Sequence, residues 1–196
     1  DDGSQDATVE VASSKLKSPD HRVLKNGRNY GKGYSVRSGM LAAQGKFLLF
    51  TDADMSTPIE EVTGFIEKLQ CDYDVVIGSR ALSASNVEVR QNFFREAMGR
   101  IFNRIARLLA FQNVKDSQCG FKCFSRKAAR DIFSAQKLDG FSFDAEIVYL
   151  AQKKGYRLLE APVTWRNSPN SRVRIFSDPL RMFADLVKIR WYHRNL

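Results

Sequence analysis

Residue types that crosslink small folds or bind zinc are scarce in this sequence. It has three cysteines, Cys71, Cys119 and Cys123, which are too few and too oddly numbered for a disulfide scaffold. Cys119 and Cys123 have no second ligand pair, and the two histidines, His21 and His193, lie far from them in sequence. A zinc site is therefore not expected, and reduced thiols in a cytosolic compartment are the simplest interpretation.

Long apolar runs and low-complexity linkers are missing as well. No stretch approaches the ~20 residues that a membrane-spanning helix needs. A length of 196 residues with 43% hydrophobic content is typical of one globular domain with a real core. We expect a compact domain over residues 1–176, followed by a basic amphipathic helix over residues 177–196.

The charge of the chain is its least ordinary bulk property. It has 31 basic against 22 acidic side chains, a formal net charge of +9. Such a balance indicates a polyanionic partner, which can be a nucleic acid, an anionic membrane surface or a phosphorylated substrate.

Helix-like and strand-like segments alternate along the chain, which indicates an α/β sheet with mainly parallel strands. Helices are predicted over residues 4–16, 34–44, 58–69, 92–111, 126–133, 144–153 and 179–190. Strands are predicted over residues 21–25, 47–50, 74–78, 121–124 and 157–165.

The triplet Asp52-Ala53-Asp54 follows a predicted buried strand. A capping box from Thr57 to Glu60, with a proline in its first turn, then indicates a helix start. Two carboxylates are thus expected at the carboxyl end of a strand, where α/β sheets bind ligands. Carboxylate oxygens suit Mg²⁺ or Mn²⁺, which bridge nucleotide phosphates. A plain polar turn fits the triplet equally well, because turns favour Asp.

A basic glycine turn, Gly31-Lys32-Gly33, precedes a predicted helix. Position 36 is a valine where a dinucleotide loop needs glycine, and no Ser or Thr follows Gly-Lys as in a phosphate loop. A flexible basic turn at a helix N-terminus remains, which can approach a phosphate closely or serve the fold alone.

Eight motifs follow one another along nearly the whole chain. They lie at residues 1–4 with Asp6, 29–33, 52–54, 78–80, 116–122, 143–146, 160–165 and 185–190. In this order they resemble the family 2 glycosyltransferases, and within that family the dolichyl-phosphate glucosyltransferases and dolichyl-phosphate mannose synthases. The resemblance implies the GT-A fold, a Rossmann-like α/β arrangement in which helices flank a mixed, mainly parallel sheet. It also implies a first strand ending in a Pro-x-Tyr-Asn-Glu-like segment, so we expect the sequence to begin inside the family's domain.

The resemblance implies a metal-dependent transfer of a hexose from a nucleotide sugar, with inversion at the anomeric carbon. Asp54, and with it Asp52, would hold Mg²⁺ or Mn²⁺ against the diphosphate, or Asp52 would contact the ribose or sugar. Asp2 would belong to the nucleoside pocket, and Lys32 would meet a phosphate as a point charge. UDP-glucose is the favoured donor and GDP-mannose the alternative.

The implied acceptor is a polyprenyl or dolichyl phosphate. With a second pKa of about 6, a phosphate monoester is largely dianionic at neutral pH and already carries its nucleophilic oxygen. Basic side chains that position it therefore matter more than a strong base. Arg80 is the first candidate, because arginine can grip a phosphate with two hydrogen bonds, and Arg90 and Arg95 follow it.

Three further residues complete the expected site. Asp116 would orient the donor sugar or act as a base, and Lys122 would bring charge near a phosphate. Asp144 is a candidate catalytic residue, although Asp144 and Glu146 also open a predicted helix, where acidic side chains serve as partners of the helix dipole.

Two predicted helices, residues 93–111 and 177–196, interleave basic with apolar and aromatic side chains. Such helices lie well in the interface of an anionic membrane, although each apolar stripe can instead pack on the sheet. Because the implied acceptor has an isoprenoid tail, we expect a peripheral enzyme on the cytosolic face of a membrane.

A rival of a different class is a non-catalytic nucleic-acid or anionic-surface binder, which the charge of +9 alone suggests. It predicts binding that weakens steeply with salt and ignores metal. The sequence contains no recognised nucleic-acid module, so we expect no nucleic-acid partner.

Overall fold

The computed structural model describes residues 1–18, 20–89, 93–167 and 177–196. Within these ranges the helices are α1 (Thr8–Lys15), α2 (Lys32–Ala42), α3 (Val62–Gln70), α4 (Phe93–Leu109), α5 (Arg126–Ala135), α6 (Phe143–Lys153) and α7 (Ser177–Tyr192). The strands are β1 (Phe47–Thr51), β2 (Val75–Ser79), β3 (Asn86–Val89), β4 (Phe121–Ser125), β5 (Leu158–Pro162) and β6 (Thr164–Arg166).

The main sheet is mixed, with the strand order β1-β4-β2-β5. Strand β4 pairs antiparallel with both β1 and β2, whereas β2 pairs parallel with β5. Three of its four strands therefore point the same way, and the prediction of a mixed, mainly parallel α/β sheet is confirmed. Strands β3 and β6 form a separate parallel pair.

The sheet is covered on both faces, and this explains why β1 and β2 are apolar runs without a polar–apolar alternation. Successive side chains of a strand point to opposite faces. Accordingly, Val75 and Ile77 of β2 join one buried cluster, and Val76 between them joins the other. Phe124 lies in the first cluster and Phe121 in the second.

Helices α4 and α7 close the first cluster. Phe102 of α4 and both Leu186 and Ile189 of α7 are buried members of it. The rings of Phe102 and Phe183 lie 5.8 Å apart between centroids. The inner face of the C-terminal helix thus shares the core of the preceding residues.

Several element predictions need correction. Residues 21–25 form no strand, because their pairing with the chain start is limited to hydrogen bonds such as Asn26 N to the Asp1 carbonyl at 3.0 Å. Helix α1 begins only at Thr8, where the Asp6 carboxylate accepts from the Thr8 N–H at 3.1 Å. The predicted capping box is wrong as well: a 3₁₀ turn (Ile59–Glu61) starts after Pro58 without a side-chain cap bond. Among the described helices, none is long and apolar enough to cross a bilayer.

Candidate active site

The charged residues singled out from the sequence gather at one edge of the main sheet. Asp52 directly follows β1 and Arg80 directly follows β2. Because β4 runs antiparallel between these strands, its beginning lies beside their carboxyl ends. The segment 116–120 that leads into β4 is therefore delivered to the same edge as Asp52 and Arg80.

Asp52 lies against the segment before β4. Its backbone N–H donates to the Gly120 carbonyl at 2.9 Å. A Cβ on Gly120 would lie 2.0 to 2.4 Å from the atoms of the Asp52 carboxylate, so only glycine leaves room for that side chain. The carboxylate is one-third exposed and forms an ion pair with Lys32, with 2.6 Å between Asp52 Oδ1 and Lys32 Nζ.

Lys32 reaches Asp52 because of the turn formed by Gly31, Lys32 and Gly33, which we call the 31–33 turn. Gly31 has a φ of +109°, a conformation that favours glycine. Burial works against the charged form of Lys32, but the carboxylates of Asp144 and Asp52 more than offset it. The pKa of Lys32 therefore lies above its ordinary value, and the side chain is a cation at the mouth of the site.

Asp2 fixes the chain just before this turn. One carboxylate oxygen accepts from the Asn26 side-chain amide at 3.0 Å and the Tyr30 N–H at 2.9 Å, and the other accepts from the Gly31 N–H at 2.8 Å. Burial raises the pKa of Asp2, but these hydrogen bonds outweigh it and leave the pKa below its ordinary value. In this arrangement Asp2 shapes the 31–33 turn.

Arg80 and Asp116 form a clamp with two parallel hydrogen bonds. Arg80 Nε donates to Asp116 Oδ2 at 2.7 Å and Nη2 to Oδ1 at 2.9 Å, and the Arg80 backbone N–H adds a third bond at 3.0 Å. Burial disfavours the Asp116 carboxylate, but the Arg80 guanidinium holds its pKa at about 2. Asp116 is therefore ionised at any neutral pH and is a weak base.

Two residues that sequence reasoning missed hold the loop that carries Asp116. Glu160 of β5 accepts from the N–H of Lys115 at 2.9 Å and from that of Asp116 at 2.8 Å. Asn103 of α4 accepts from the Ser117 N–H at 3.1 Å and its hydroxyl at 2.9 Å. Glu160 lies in one of the eight motifs, whereas the sequence pattern of α4 gave no signal for Asn103 beyond a polar residue among apolar ones.

Lys122 and Asp144 form a buried ion pair behind the site. Lys122 lies in β4 with no exposed side-chain surface, donates to the Cys119 carbonyl at 2.6 Å and contacts the Asp144 carboxylate. Burial raises the pKa of Asp144 above its ordinary value, and Lys122 and Lys32 limit that rise. Here Lys122 contacts a carboxylate rather than solvent, and its predicted phosphate contact stays a prediction.

Asp54 lies two residues after Asp52 and is exposed. Its Oδ1 accepts from the Ser56 N–H at 3.0 Å, which orients the side chain. Within the described residues no cluster of three or more His, Cys, Asp or Glu side chains could hold a metal by itself. A pair of carboxylates nevertheless fits Mg²⁺ or Mn²⁺, since such ions are commonly held by one or two carboxylates together with the phosphates of a substrate.

Two predicted site residues lie outside what the structure describes. Arg90 is not among the described residues, and the side chain of Arg95 is not described either. Their roles as phosphate ligands stay predictions.

The residues 1–133 match the family model described as glycosyl transferase family 2. The dolichyl-phosphate beta-glucosyltransferase of Dictyostelium discoideum is 37% identical over 97% of this chain and 61% of its own length. Those of Saccharomyces cerevisiae and Homo sapiens are both 32% identical over 97% of this chain, and over 62% and 61% of their own lengths. The chain thus spans about three-fifths of the length of these relatives.

Solved structures show the same fold at low identity. Glucosyl-3-phosphoglycerate synthase from Mycobacterium tuberculosis, in complex with uridine diphosphate, has a TM-score of 0.64 at 16% identity, covering 95% of this chain and 66% of its own. Mannosyl-3-phosphoglycerate synthase from Rubrobacter xylanophilus has a TM-score of 0.60 at 19% identity, covering 96% and 60%. The predicted GT-A fold is confirmed, and the chain belongs to glycosyl transferase family 2.

Proposed function

We propose that this chain is the catalytic part of an enzyme that moves glucose from UDP-glucose to a dolichyl or other polyprenyl phosphate, with inversion at the anomeric carbon. The observation that carries the proposal is the Lys32–Asp52 pair beside Asp54 at the carboxyl end of β1, where Gly120 leaves room for the carboxylate. The names of the relatives, dolichyl-phosphate beta-glucosyltransferases, support the choice of donor sugar and acceptor.

The donor diphosphate would lie over the 31–33 turn. Lys32 is a cation there and supplies a phosphate contact, and Asp2 holds the turn from below. Asp54 and Asp52 would hold Mg²⁺ or Mn²⁺, which when bound neutralises the charge of the leaving diphosphate. A solved structure of the Mycobacterium tuberculosis synthase, similar in fold, contains Mn²⁺ and UDP-glucose.

The acceptor phosphate would meet Arg80. The Asp116 clamp uses Nε and Nη2 of this arginine, and a guanidinium has five N–H donors, so the Nη1 edge is the part that we assign to the acceptor. An acceptor oxygen bonds to the anomeric carbon while the bond from that carbon to the diphosphate oxygen breaks. The attacking oxygen is already deprotonated, so Asp116, a weak base, orients Arg80 instead of taking a proton.

Calorimetric titration of the protein with UDP-glucose and with GDP-mannose, each with and without Mn²⁺, tests the donor and the metal. We expect UDP-glucose to bind more tightly, and only with metal. Asp54→Ala should weaken its binding ~10- to 100-fold, the scale of one lost charge-assisted contact. The control is Asp72→Ala, since Asp72 is an exposed carboxylate in a surface ion pair with Arg157.

Three results would count against parts of this assignment. Binding without metal that Asp54→Ala leaves unchanged would remove the metal site. Tighter binding of GDP-mannose would replace the glucosyltransferase by a mannose synthase. Tight binding of both nucleotides without transfer of sugar to polyprenyl phosphate, in a chain extended to the length of its relatives, would remove the enzymatic function.

We also propose that the protein works on the cytosolic face of a membrane. Four large apolar side chains on α4 and α7 are exposed: Ile101 by 48%, Leu108 by 78%, Val187 by 61% and Trp191 by 62%. Exposed arginines accompany them, at positions 100, 104 and 107 of α4, at position 190 of α7 and at position 194 just after α7. Apolar side chains among arginines fit the interface of an anionic bilayer.

The packing of the two helices supports a continuous surface. Two contacts show how the helices lie: the rings of Phe102 and Phe183 touch, and Arg190 Nη1 donates to the Leu109 carbonyl at 3.4 Å. On both helices the second contact comes seven residues after the first. The helices therefore run side by side in the same direction. With 3.6 residues per turn, the four exposed apolar side chains lie on the same solvent-facing side of α4 and α7, beside the line where the two helices pack.

Sedimentation with vesicles tests this surface. We expect binding to vesicles that contain phosphatidylserine, little binding to neutral vesicles, and loss of binding in the double substitution Leu108→Ser with Trp191→Ser. Strong binding to single- or double-stranded nucleic acid without binding to vesicles would favour the non-catalytic rival.

A further inference from the structure

Glu146 is a buried carboxylate in the first turn of α6 that accepts three hydrogen bonds. Its side chain has no exposed surface. One oxygen accepts from the Lys137 N–H at 2.9 Å, and the other accepts from the Leu138 N–H at 2.8 Å. His193 Nε2 lies 2.6 Å from the first oxygen, and since a carboxylate only accepts, this nitrogen carries the proton. Glu146 thus holds the loop 136–140 in place through the backbone of Lys137 and Leu138.

The loop 136–140 packs directly against the 31–33 turn. A Cβ on Gly31 would lie 2.4 Å from the Asp139 carbonyl oxygen, and one on Gly33 would lie 2.6 Å from that of Leu138. The Tyr34 N–H donates to the Asp139 carbonyl at 3.2 Å. No side chain fits between the two segments at these glycines, so a shift of the loop has to move the turn.

The position of the 31–33 turn determines the position of Lys32, its central residue. Gln136, which is buried, strengthens the junction by donating to the carbonyls of Gly33 at 2.9 Å and Leu138 at 2.8 Å. Lys32 leaves this junction to reach Asp52. A continuous series of contacts therefore joins Glu146 to the charged pair of the site.

The same series continues into the C-terminal residues. His193 follows α7 directly and is buried. Lys137 Nζ donates to the Tyr192 carbonyl at 3.3 Å, and Asp185 of α7 accepts from the Ser142 hydroxyl at 2.8 Å in front of α6. The C-terminal helix thus braces both ends of the segment between the loop and α6.

We infer that Glu146 is a positioning residue for Lys32, and that His193 makes the end of the C-terminal helix a structural part of the donor site. The inference rests on the proposed function, because it needs Lys32 to contact the donor diphosphate. It assigns to residues 177–196 a role in donor binding that is separate from any contact with a membrane.

The substitution Glu146→Gln is isosteric but cannot serve all three donors. The amide oxygen can accept from one side, whereas the amide NH₂ faces another N–H. We expect the Kd of UDP, measured by calorimetry with saturating Mn²⁺, to rise about 10-fold, the scale of losing one hydrogen bond to a charged group.

A double-mutant cycle with Lys32→Met separates positioning from general damage. Lys32→Met alone should raise the Kd of UDP about 10-fold, and adding Glu146→Gln to it should change the Kd less than about 2-fold. Glu61→Gln is the matched control: Glu61 also accepts a backbone N–H, that of Thr164 at 3.0 Å, but lies apart from the 31–33 turn. It should leave the Kd unchanged.

His193 supplies a second test that does not depend on how well the Glu146 variant folds. His193→Gln can keep an N–H donor near the Nε2 position, whereas His193→Phe keeps the ring and loses the donor. We expect His193→Phe to raise the Kd of UDP several-fold and His193→Gln to restore most of the binding.

The outcomes are distinguishable. If Lys32→Met leaves the Kd unchanged, the diphosphate contact fails and with it that part of the proposed function. The positioning role is overturned if Lys32→Met weakens binding and Glu146→Gln does not. It is also overturned if Glu146→Gln weakens binding by the same factor in the wild type and in Lys32→Met. Equal binding by His193→Phe and His193→Gln overturns the role of the C-terminal helix.

Discussion

Asp116 illustrates how one side chain can make part of the stability depend on pH. Its folded pKa of about 2 lies below the unfolded value of about 3.9, so the charged form stabilises the fold. The contribution is fully present above the unfolded pKa and disappears as the pH falls through the folded one. Its size is on the order of 2 kcal/mol, because one pKa unit corresponds to ~1.4 kcal/mol.

We therefore expect the free energy of unfolding to fall more steeply between pH 6 and pH 2.5 in the wild type than in Asp116→Asn. Urea unfolding at several pH values measures this, and the difference between the two proteins should shrink by about 2 kcal/mol over the range. Asp72→Asn, at an exposed site, should follow the wild type. Parallel pH curves for wild type and Asp116→Asn would contradict the clamp.

Gly120 provides a second test at the residue scale. In Gly120→Ala the new Cβ would overlap the Asp52 carboxylate, which is partly exposed and can rotate away from it. We expect a small loss of stability, below ~1.5 kcal/mol, but a clear loss of UDP-glucose binding, because Asp52 leaves Lys32. Thermal unfolding and calorimetry measure the two effects.

Gly39→Ala is the matched control for Gly120→Ala. Gly39 lies exposed in α2 with no atom near the position of its Cβ. It should gain ~0.5–1 kcal/mol of stability from helix propensity and bind UDP-glucose as the wild type does. Normal binding by Gly120→Ala would show that Asp52 does not need its present position.

The residues of the site could be selected from the sequence, but their pairing could not. Motif order brought Lys32, Asp52, Arg80 and Asp116 into one predicted site, and they do lie together. The clamp of Arg80 on Asp116 follows from β4 running antiparallel between β1 and β2, and no periodicity in the sequence encodes strand direction. The buried pairing of Lys122 with Asp144 was likewise not visible in the sequence.

At the scale of elements, α7 presents an apolar stripe that sequence alone left open between core and membrane. The structure divides the stripe: Leu186 and Ile189 are fully buried, whereas Val187 and Trp191 are exposed. A residue period of 3.6 shows that a face exists but not what covers it, so this division needed the packing of α7 on α4 and α6.

We expect the divided stripe to give opposite results for neighbouring substitutions. Leu186→Ala should destabilise the protein by ~2–5 kcal/mol, because it opens a cavity in the core. Val187→Ala should change stability by less than ~0.5 kcal/mol, because it is a surface position. Urea unfolding of both variants, without lipid, makes the comparison. Similar small effects for both would mean that α7 is not docked in solution.

At the scale of the whole molecule, the shared core argues against a C-terminal helix that detaches from residues 1–176. Leu186 and Ile189 belong to the same buried cluster as Val75 and Phe124 of the sheet. Elements that share one buried cluster are expected to lose it together, as in a cooperative unfolding transition. The two segments are therefore expected to gain and lose structure together.

The two tryptophans of the chain make this testable, because one lies in each segment. Trp165 is a buried residue of β6, and Trp191 lies near the end of α7. In Trp191→Phe the fluorescence reports only on the sheet region, and in Trp165→Phe only on the C-terminal helix. We expect, for each variant, a urea midpoint by fluorescence that coincides with its own midpoint by far-ultraviolet circular dichroism. A fluorescence transition of Trp191 at clearly lower urea than the circular dichroism transition would show that the C-terminal helix undocks first. The contact of His193 with Glu146 would then be lost before the rest of the domain unfolds.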